Sequence, residues 1–146
     1  MTYESVEILF VEDSEDDATL TIRALTKSGF TNKLHHVRDG AEALDFIYGR
    51  GVYASRDLKV NPKLILLDLK MPKVSGIQVL EKVKSDPNLR SIPVVILTSS
   101  KEDPDVAKCY ALGANSYIVK PVDSDSFIRA IKEIGLYWMV LSQPAH

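Results

Sequence analysis

Four short apolar runs, each closed by a polar residue, constrain this chain more than any other feature. They are EILFV (7–11), KLILL (63–67), PVVIL (93–97) and SYIV (116–119). Successive side chains of a strand point to opposite faces, so a run that is apolar at every position must be covered on both sides. The runs are too short for helices of ordinary length. KLHHVR (33–38) reads as a weaker fifth strand. The stretches between them carry helical spacing. Continuous apolar strands alternating with helices predict a parallel α/β sheet with helices on both faces, because each crossover must pass over a face.

The helix signals are local. Ala18, Ile22 and Leu25 form one stripe, with Ser14 and Asp17 set as a capping box and Gly29 as a stop. AEALDFIYG (41–49) is helix-like, and Ile77, Leu80 and Val83 make a further stripe. Asp103-Pro104 reads as an N-cap followed by proline at the first helical position, with Gly113 ending that helix. Phe127, Ile131 and Ile134 carry the last stripe, opened near Ser124. Residues 50–61 make a longer connection than most such loops and read as an elaborated surface loop.

The chemistry lies in the polar residues that close each run. EILFV ends in Glu12-Asp13, KLILL in Asp68, PVVIL in Thr98-Ser99 and SYIV in Lys120-Pro121. The carboxyl ends of parallel strands share one edge, and open α/β sheets bind ligands there, where the strand order reverses. A buried unpaired carboxylate is costly, so Asp68 belongs at the mouth of its strand or beside a compensating charge. Anions this close raise one another's pKa unless a cation joins them. Lys120 supplies one, and an all-oxygen cluster with few protein ligands suits magnesium better than calcium. A carboxylate beside magnesium and lysine is equipped to attack phosphorus and form an acyl phosphate, with Thr98 placed to donate a hydrogen bond to the new group. Each residue alone has a plainer reading. Glu12-Asp13 could complement a helix dipole, Asp68 could be a turn former before Pro72, and Thr98 could simply end a strand. Lys120-Pro121 could terminate one. Only the constellation promotes them. His35 and His36 read as solvent-facing strand residues rather than phosphate carriers or metal ligands, and Cys109 as a small core or boundary residue.

FVEDS, LLDLKMP, a glycine eight residues past the aspartate (Gly76), VVILTSS and YIVKP together resemble the receiver domain of two-component response regulators, over about residues 6 to 135. The resemblance implies a flavodoxin-like sheet in the order 2-1-3-4-5. It makes Asp68 the acceptor of a phosphoryl group from a histidine kinase. It places Asp13, Asp68 and the backbone carbonyl of Lys70 on magnesium, with Glu12 acting indirectly. It pairs Lys120 with the phosphoryl oxygens, makes the bond to Pro121 cis, and assigns Thr98 and Tyr117 as a switch pair. Glu12 departs from the commoner aspartate, which lengthens one arm without changing its charge. Lys70 and Ser100 occupy variable positions that tune phosphoryl lifetime, in a direction the sequence does not fix.

A net charge of −2 gives no electrostatic reason to expect nucleic-acid binding, and no recognition helix stands out. One cysteine rules out an internal disulfide framework. The start, MTYESVEILF, lacks a signal-peptide pattern, and no apolar run is long enough to span a membrane. The expectation is therefore a cytoplasmic, single receiver domain over 1–146, with 136–146 as a C-terminal extension. It would be a phosphoacceptor rather than a turnover enzyme, signalling through a changed surface to a downstream protein or phosphotransfer partner. A magnesium-dependent aspartyl phosphatase of the haloacid dehalogenase type is the alternative, but it needs a second aspartate where this chain has Lys70. A flavin-binding reading fails because VEDSEDD would repel the phosphate it must cradle. LYWMVL (136–141) reads equally as the packed last turn of helix five and as an apolar patch for another subunit. The connection GRGVYASRD and the pair Tyr137-Trp138 are similar to regulators encoded beside bacterial phytochromes, a resemblance that implies a homodimer through the helix four–strand five–helix five face.

Overall fold

The computed structural model describes residues 6–29, 33–71, 74–100 and 102–135. LYWMVL and Pro72 therefore lie outside the described residues. The strands are β1 (Ile8–Val11), β2 (Leu34–Val37), β3 (Leu64–Asp68), β4 (Val94–Thr98) and β5 (Ser116–Val119). The helices are α1 (Glu15–Lys27), α2 (Gly40–Tyr48), α3 (Gly76–Ser85), α4 (Pro104–Ala111) and α5 (Ser124–Glu133). All strand pairs are parallel, in the order β2-β1-β3-β4-β5.

Every residue of β1, β3 and β4 is buried, as their unbroken apolar runs require. The side chains divide by parity between two cores. Ile8, Phe10, Leu64, Leu66, Val95 and Leu97 face Ala18 and Leu25 of α1 and Phe127 and Ile131 of α5. Leu9, Val11, Ile65, Leu67, Val94 and Ile96 face the other way, toward Phe46, Leu80, Val83 and Cys109 on α2, α3 and α4. Cys109 is a core residue, and burial pushes its thiol up to about 11, out of reach of ordinary thiolate chemistry.

The caps follow local chemistry, with one revision. Ser75 and Gln78 close a reciprocal capping box on α3, and Asp123 with Ser126 closes another on α5. Asp103 caps α4 ahead of Pro104, and Gly113 comes after it at φ 109°. At α1 only half of the expected box forms. Ser14 Oγ accepts from Asp17 N at 3.2 Å, but Ser14 N donates to Glu12 Oε2 at 3.3 Å instead of to Asp17. The Asp17 carboxylate is drawn elsewhere.

Two other expectations are corrected by packing. The 50–61 connection is pinned to the body, not merely surface: Tyr53 and Arg56 are buried. Arg56 donates to the carbonyls of Phe46, Ile47 and Val60, and its guanidinium lies 4.5 Å from the Phe46 ring centroid. The histidines of β2 are half-buried, not solvent-facing. His35 stacks on Phe46 and sits 2.9 Å from Tyr53 Oη, whose own proton goes to Glu42 Oε2. His36 stacks on Phe10 and donates from Nε2 to the Glu12 carbonyl at 2.8 Å. The edge strand is polar because its histidines tie it to the connection on one face and to the end of β1 on the other.

Gly76 opens α3 hard against the end of β3. A Cβ there would lie 2.2 Å from Asp68 O and 2.7 Å from Leu69 Cα, so only glycine lets the helix start this close. Gly76→Ala should cost about 1–3 kcal/mol in urea unfolding, the range for forcing extra volume into a packed site; an unchanged midpoint would show that the backbone yields freely. Burial lowers the pKa of His35; Glu42 opposes this and His36 adds to it. Folded His35 thus stays neutral where the unfolded chain begins to bind a proton, near 6.5, and stability falls as the pH drops through that value. His35→Phe keeps the stacked ring and should flatten the fall in Tm between about pH 7 and 5.5, set by the ordinary histidine range; equal slopes in the two proteins would remove His35 as the cause.

Candidate functional site

The ends of β1, β3, β4 and β5 line one cavity of about 260 Å³ on the carboxyl edge, walled by Glu12, Asp13, Asp17, Asp68, Thr98 and Lys120 among others. It lies where the order reverses between β1 and β3. Parallel register brings Val11 level with Leu67 and Asp68 level with Leu97, so the polar residues just beyond each run arrive at one height. Lys120 Nζ reaches Glu12 Oε1 at 2.9 Å, Asp68 Oδ1 at 3.0 Å and Asp17 Oδ2 at 3.1 Å. Its bond to Pro121 is cis.

Burial sets the electrostatics. Glu12 is 0% exposed and Asp68 5%. Desolvation pushes the Asp68 carboxyl up to about 7, helped by the Glu12 charge and opposed by Lys120. Burial pulls the other way on Lys120, but its contacts with Glu12 and Asp68 outweigh that and hold the ammonium above its usual range. Lys120 is therefore a fixed cation, while burial makes the Asp68 carboxyl harder to ionise than an ordinary aspartate.

Glu12 Oε1 is buried and makes no aligned hydrogen bond, although the Lys120 ammonium lies 2.9 Å away. Carboxylate oxygens of Glu12, Asp13 and Asp68 come within 4.8 Å of one another. An orphaned buried oxygen beside exposed Asp13, in an all-oxygen set, fits a hard divalent cation.

The other expected residues hold different positions. Thr98 is buried at the end of β4, and its hydroxyl donates to Ser100 O at 3.1 Å, across the turn rather than into the acidic cluster. Tyr117 is half-buried on β5, edge-on to Tyr110 with ring centroids 6.2 Å apart. Lys70 lines the cavity, and its ammonium pairs with Asp103 Oδ2 at 3.3 Å. That contact bridges the cavity wall from the β3 end to the N-cap of α4. The Asp105 N–H and then Lys70 hold the Asp103 carboxyl below the usual carboxylate range.

Asp17 and Asp103 are the residues that sequence reasoning misses at this site. In the sequence both read as caps. The available signal for Asp17 is its place in the first turn of a helix that starts beside the acidic pair. Neither histidine of β2 joins the carboxylate cluster.

The response regulator receiver domain model matches residues 8–132. A probable methanogenesis regulatory protein, FilR2, from Methanothrix harundinacea is 42% identical over 135 residues, covering 90% of this chain and 83% of that protein. The structure of the bacteriophytochrome response regulator RtBRR aligns with a TM-score of 0.85 at 51% identity, over 94% of this chain and 82% of that one. The Mn²⁺-bound form of the response regulator Rcp1, a protein of Synechocystis, aligns with a TM-score of 0.73 at 37% identity, over 94% of this chain and 98% of that one. Among the described residues no helix is long and apolar enough to cross a membrane. With its sheet order, its acidic edge and its matched length, the chain belongs to the response regulator receiver domain family of two-component systems, in which an aspartate is phosphorylated.

Proposed function

We propose that the chain is a phosphoacceptor switch that takes a phosphoryl group onto Asp68 from a histidine kinase and signals through a changed surface. The observation that carries this reading is Lys120 lying between Glu12, Asp17 and Asp68 at the mouth of the sheet. An Asp68 oxygen attacks phosphorus, the nitrogen–phosphorus bond of the donor phosphohistidine breaks, and the leaving imidazole keeps the electron pair and takes up a proton. Lys120 contributes an ammonium that is already in place where negative charge accumulates.

Asp13, Asp68 and the backbone carbonyl of Lys70 would hold magnesium, with Glu12 acting through its charge and its neighbours. Bound there, the ion would supply positive charge against the phosphoryl oxygens. Thr98 would leave Ser100 O and donate to the phosphoryl group, and Tyr117 would move with it as the switch partner. The exposed side chains of Tyr110 and Val119 support a homodimer through the α4–β5–α5 face as one output. In this reading the protein is cytoplasmic, spans one receiver domain, and assists its own phosphorylation and dephosphorylation without turning over external substrates. The phosphatase alternative is disfavoured because the position its general acid needs is Lys70, already paired with Asp103.

Acetyl phosphate with Mg²⁺ should label the protein with one phosphoryl group, lost in Asp68→Asn and in chelator. Stoichiometric labelling that survives Asp68→Asn would point to another acceptor. Lys120→Ala should slow labelling about 100- to 1000-fold, the scale for losing one preorganised charge donor. It should also destabilise the ion-free protein by about 3–5 kcal/mol, because Glu12 is left buried without its cation. Wild-type labelling rates in this variant, with circular dichroism showing it folded, would remove the role given to Lys120.

A further inference from the structure

We propose that Asp17 is a counter-ligand of Lys120 that weights the site against the phosphorylated state, an inference that rests on Asp68 being the phosphoacceptor. An ammonium has three N–H donors and no more. Lys120 already faces three carboxylates: it hydrogen-bonds Asp17 Oδ2 at 3.1 Å and lies 2.9 Å from Glu12 Oε1 and 3.0 Å from Asp68 Oδ1. All three crowd the ammonium within 3.1 Å, so a phosphoryl oxygen must compete with them for it.

The three are not equivalent. Drawing Lys120 off Glu12 would strand a fully buried charge. Asp68, once modified, loses its carboxylate charge, and its hold on Lys120 passes to the phosphoryl oxygens. The Asp17 side chain is 40% exposed, on the first turn of α1, and can return to water. Its backbone N–H is held by Ser14 Oγ and Ser14 N by Glu12 Oε2, so neither half of the cap needs the Asp17 carboxylate. Asp17 is therefore the carboxylate left to compete with the phosphoryl oxygens for Lys120. Once displaced, Asp17 still lines the cavity and repels the added negative charge. Asp17 thus stabilises the resting arrangement of Lys120 and disfavours the modified one.

The test is binding of beryllofluoride, a phosphoryl mimic, to the full chain at saturating Mg²⁺, measured by calorimetry for wild type, Asp17→Asn and Asp17→Glu. Asp17→Asn keeps the shape, and losing one partly exposed charge should tighten beryllofluoride binding about five- to ten-fold. Mg²⁺ affinity measured alone should stay equal or weaken by about two- to three-fold, because one attracting charge is gone. A role confined to the helix terminus would move neither constant in opposite senses. Asp17→Glu restores the charge and should bring binding back toward wild type. Binding by wild type with no gain in Asp17→Asn, or a parallel gain for Mg²⁺ alone, overturns the role of Asp17 and leaves the phosphoacceptor reading intact. Wild type that binds no beryllofluoride at all removes that reading and this inference together.

Discussion

The ammonium of Lys120 is the interaction on which the carboxyl edge depends. Glu12 and Asp68 are buried side by side, and two such charges without a cation would repel and force protonation. Lys120 lies within 3.0 Å of both, which makes an acidic cavity tolerable inside a small sheet. The arrangement is not there for stability, since a buried ion pair seldom outperforms a packed apolar cluster. What it gives is a concentrated charge site held by fixed strand ends.

The walls hold because they are strand ends and not loops. β1, β3 and β4 are buried along their whole length, and parallel pairing fixes the heights at which Glu12, Asp68 and Thr98 emerge. Gly76 adds a second constraint by bringing α3 against the main chain of Asp68, so Asp68 is held both from the sheet and from the next helix. His36 does the same for β1: it binds the Glu12 carbonyl while Val37 O accepts from Glu12 N. At the rim the Thr98 hydroxyl donates to Ser100 O within its own turn, and the Lys70–Asp103 pair crosses the wall.

Most of this architecture is legible in the sequence because it rests on short-range patterns. EILFV, KLILL, PVVIL and SYIV state their burial outright, and strand bounds differ by at most a single residue, with Asp68 inside β3 as its last member. The site is legible because strand ends in a parallel sheet need no folding model to be placed together; the strand order itself comes from the family resemblance. What escapes are residues whose role is set by a distant partner. His35 and His36 look solvent-facing because an edge strand gives no hint that Tyr53 will fold back from a connection to cover it. Arg56 looks like loop charge, yet three carbonyls bury it. Asp17 matches a capping box so well that its approach to Lys120, far along the chain, has no competing signal.

Glu12 links that oversight to the site's one departure from the commoner family pattern. Its longer arm lets one oxygen face Lys120 at 2.9 Å while the other accepts from Ser14 N at 3.3 Å, closing the start of α1. A helix N-terminus needs acceptors for its unpaired N–H groups. Ordinarily the third residue after the cap reaches back to supply one, and here that residue is Asp17. With Glu12 already serving, the Asp17 carboxylate is free to turn inward to Lys120. The lengthened acid and the third ligand of the lysine are thus one arrangement: changing Glu12 to the shorter aspartate would reopen the cap and draw Asp17 back to it.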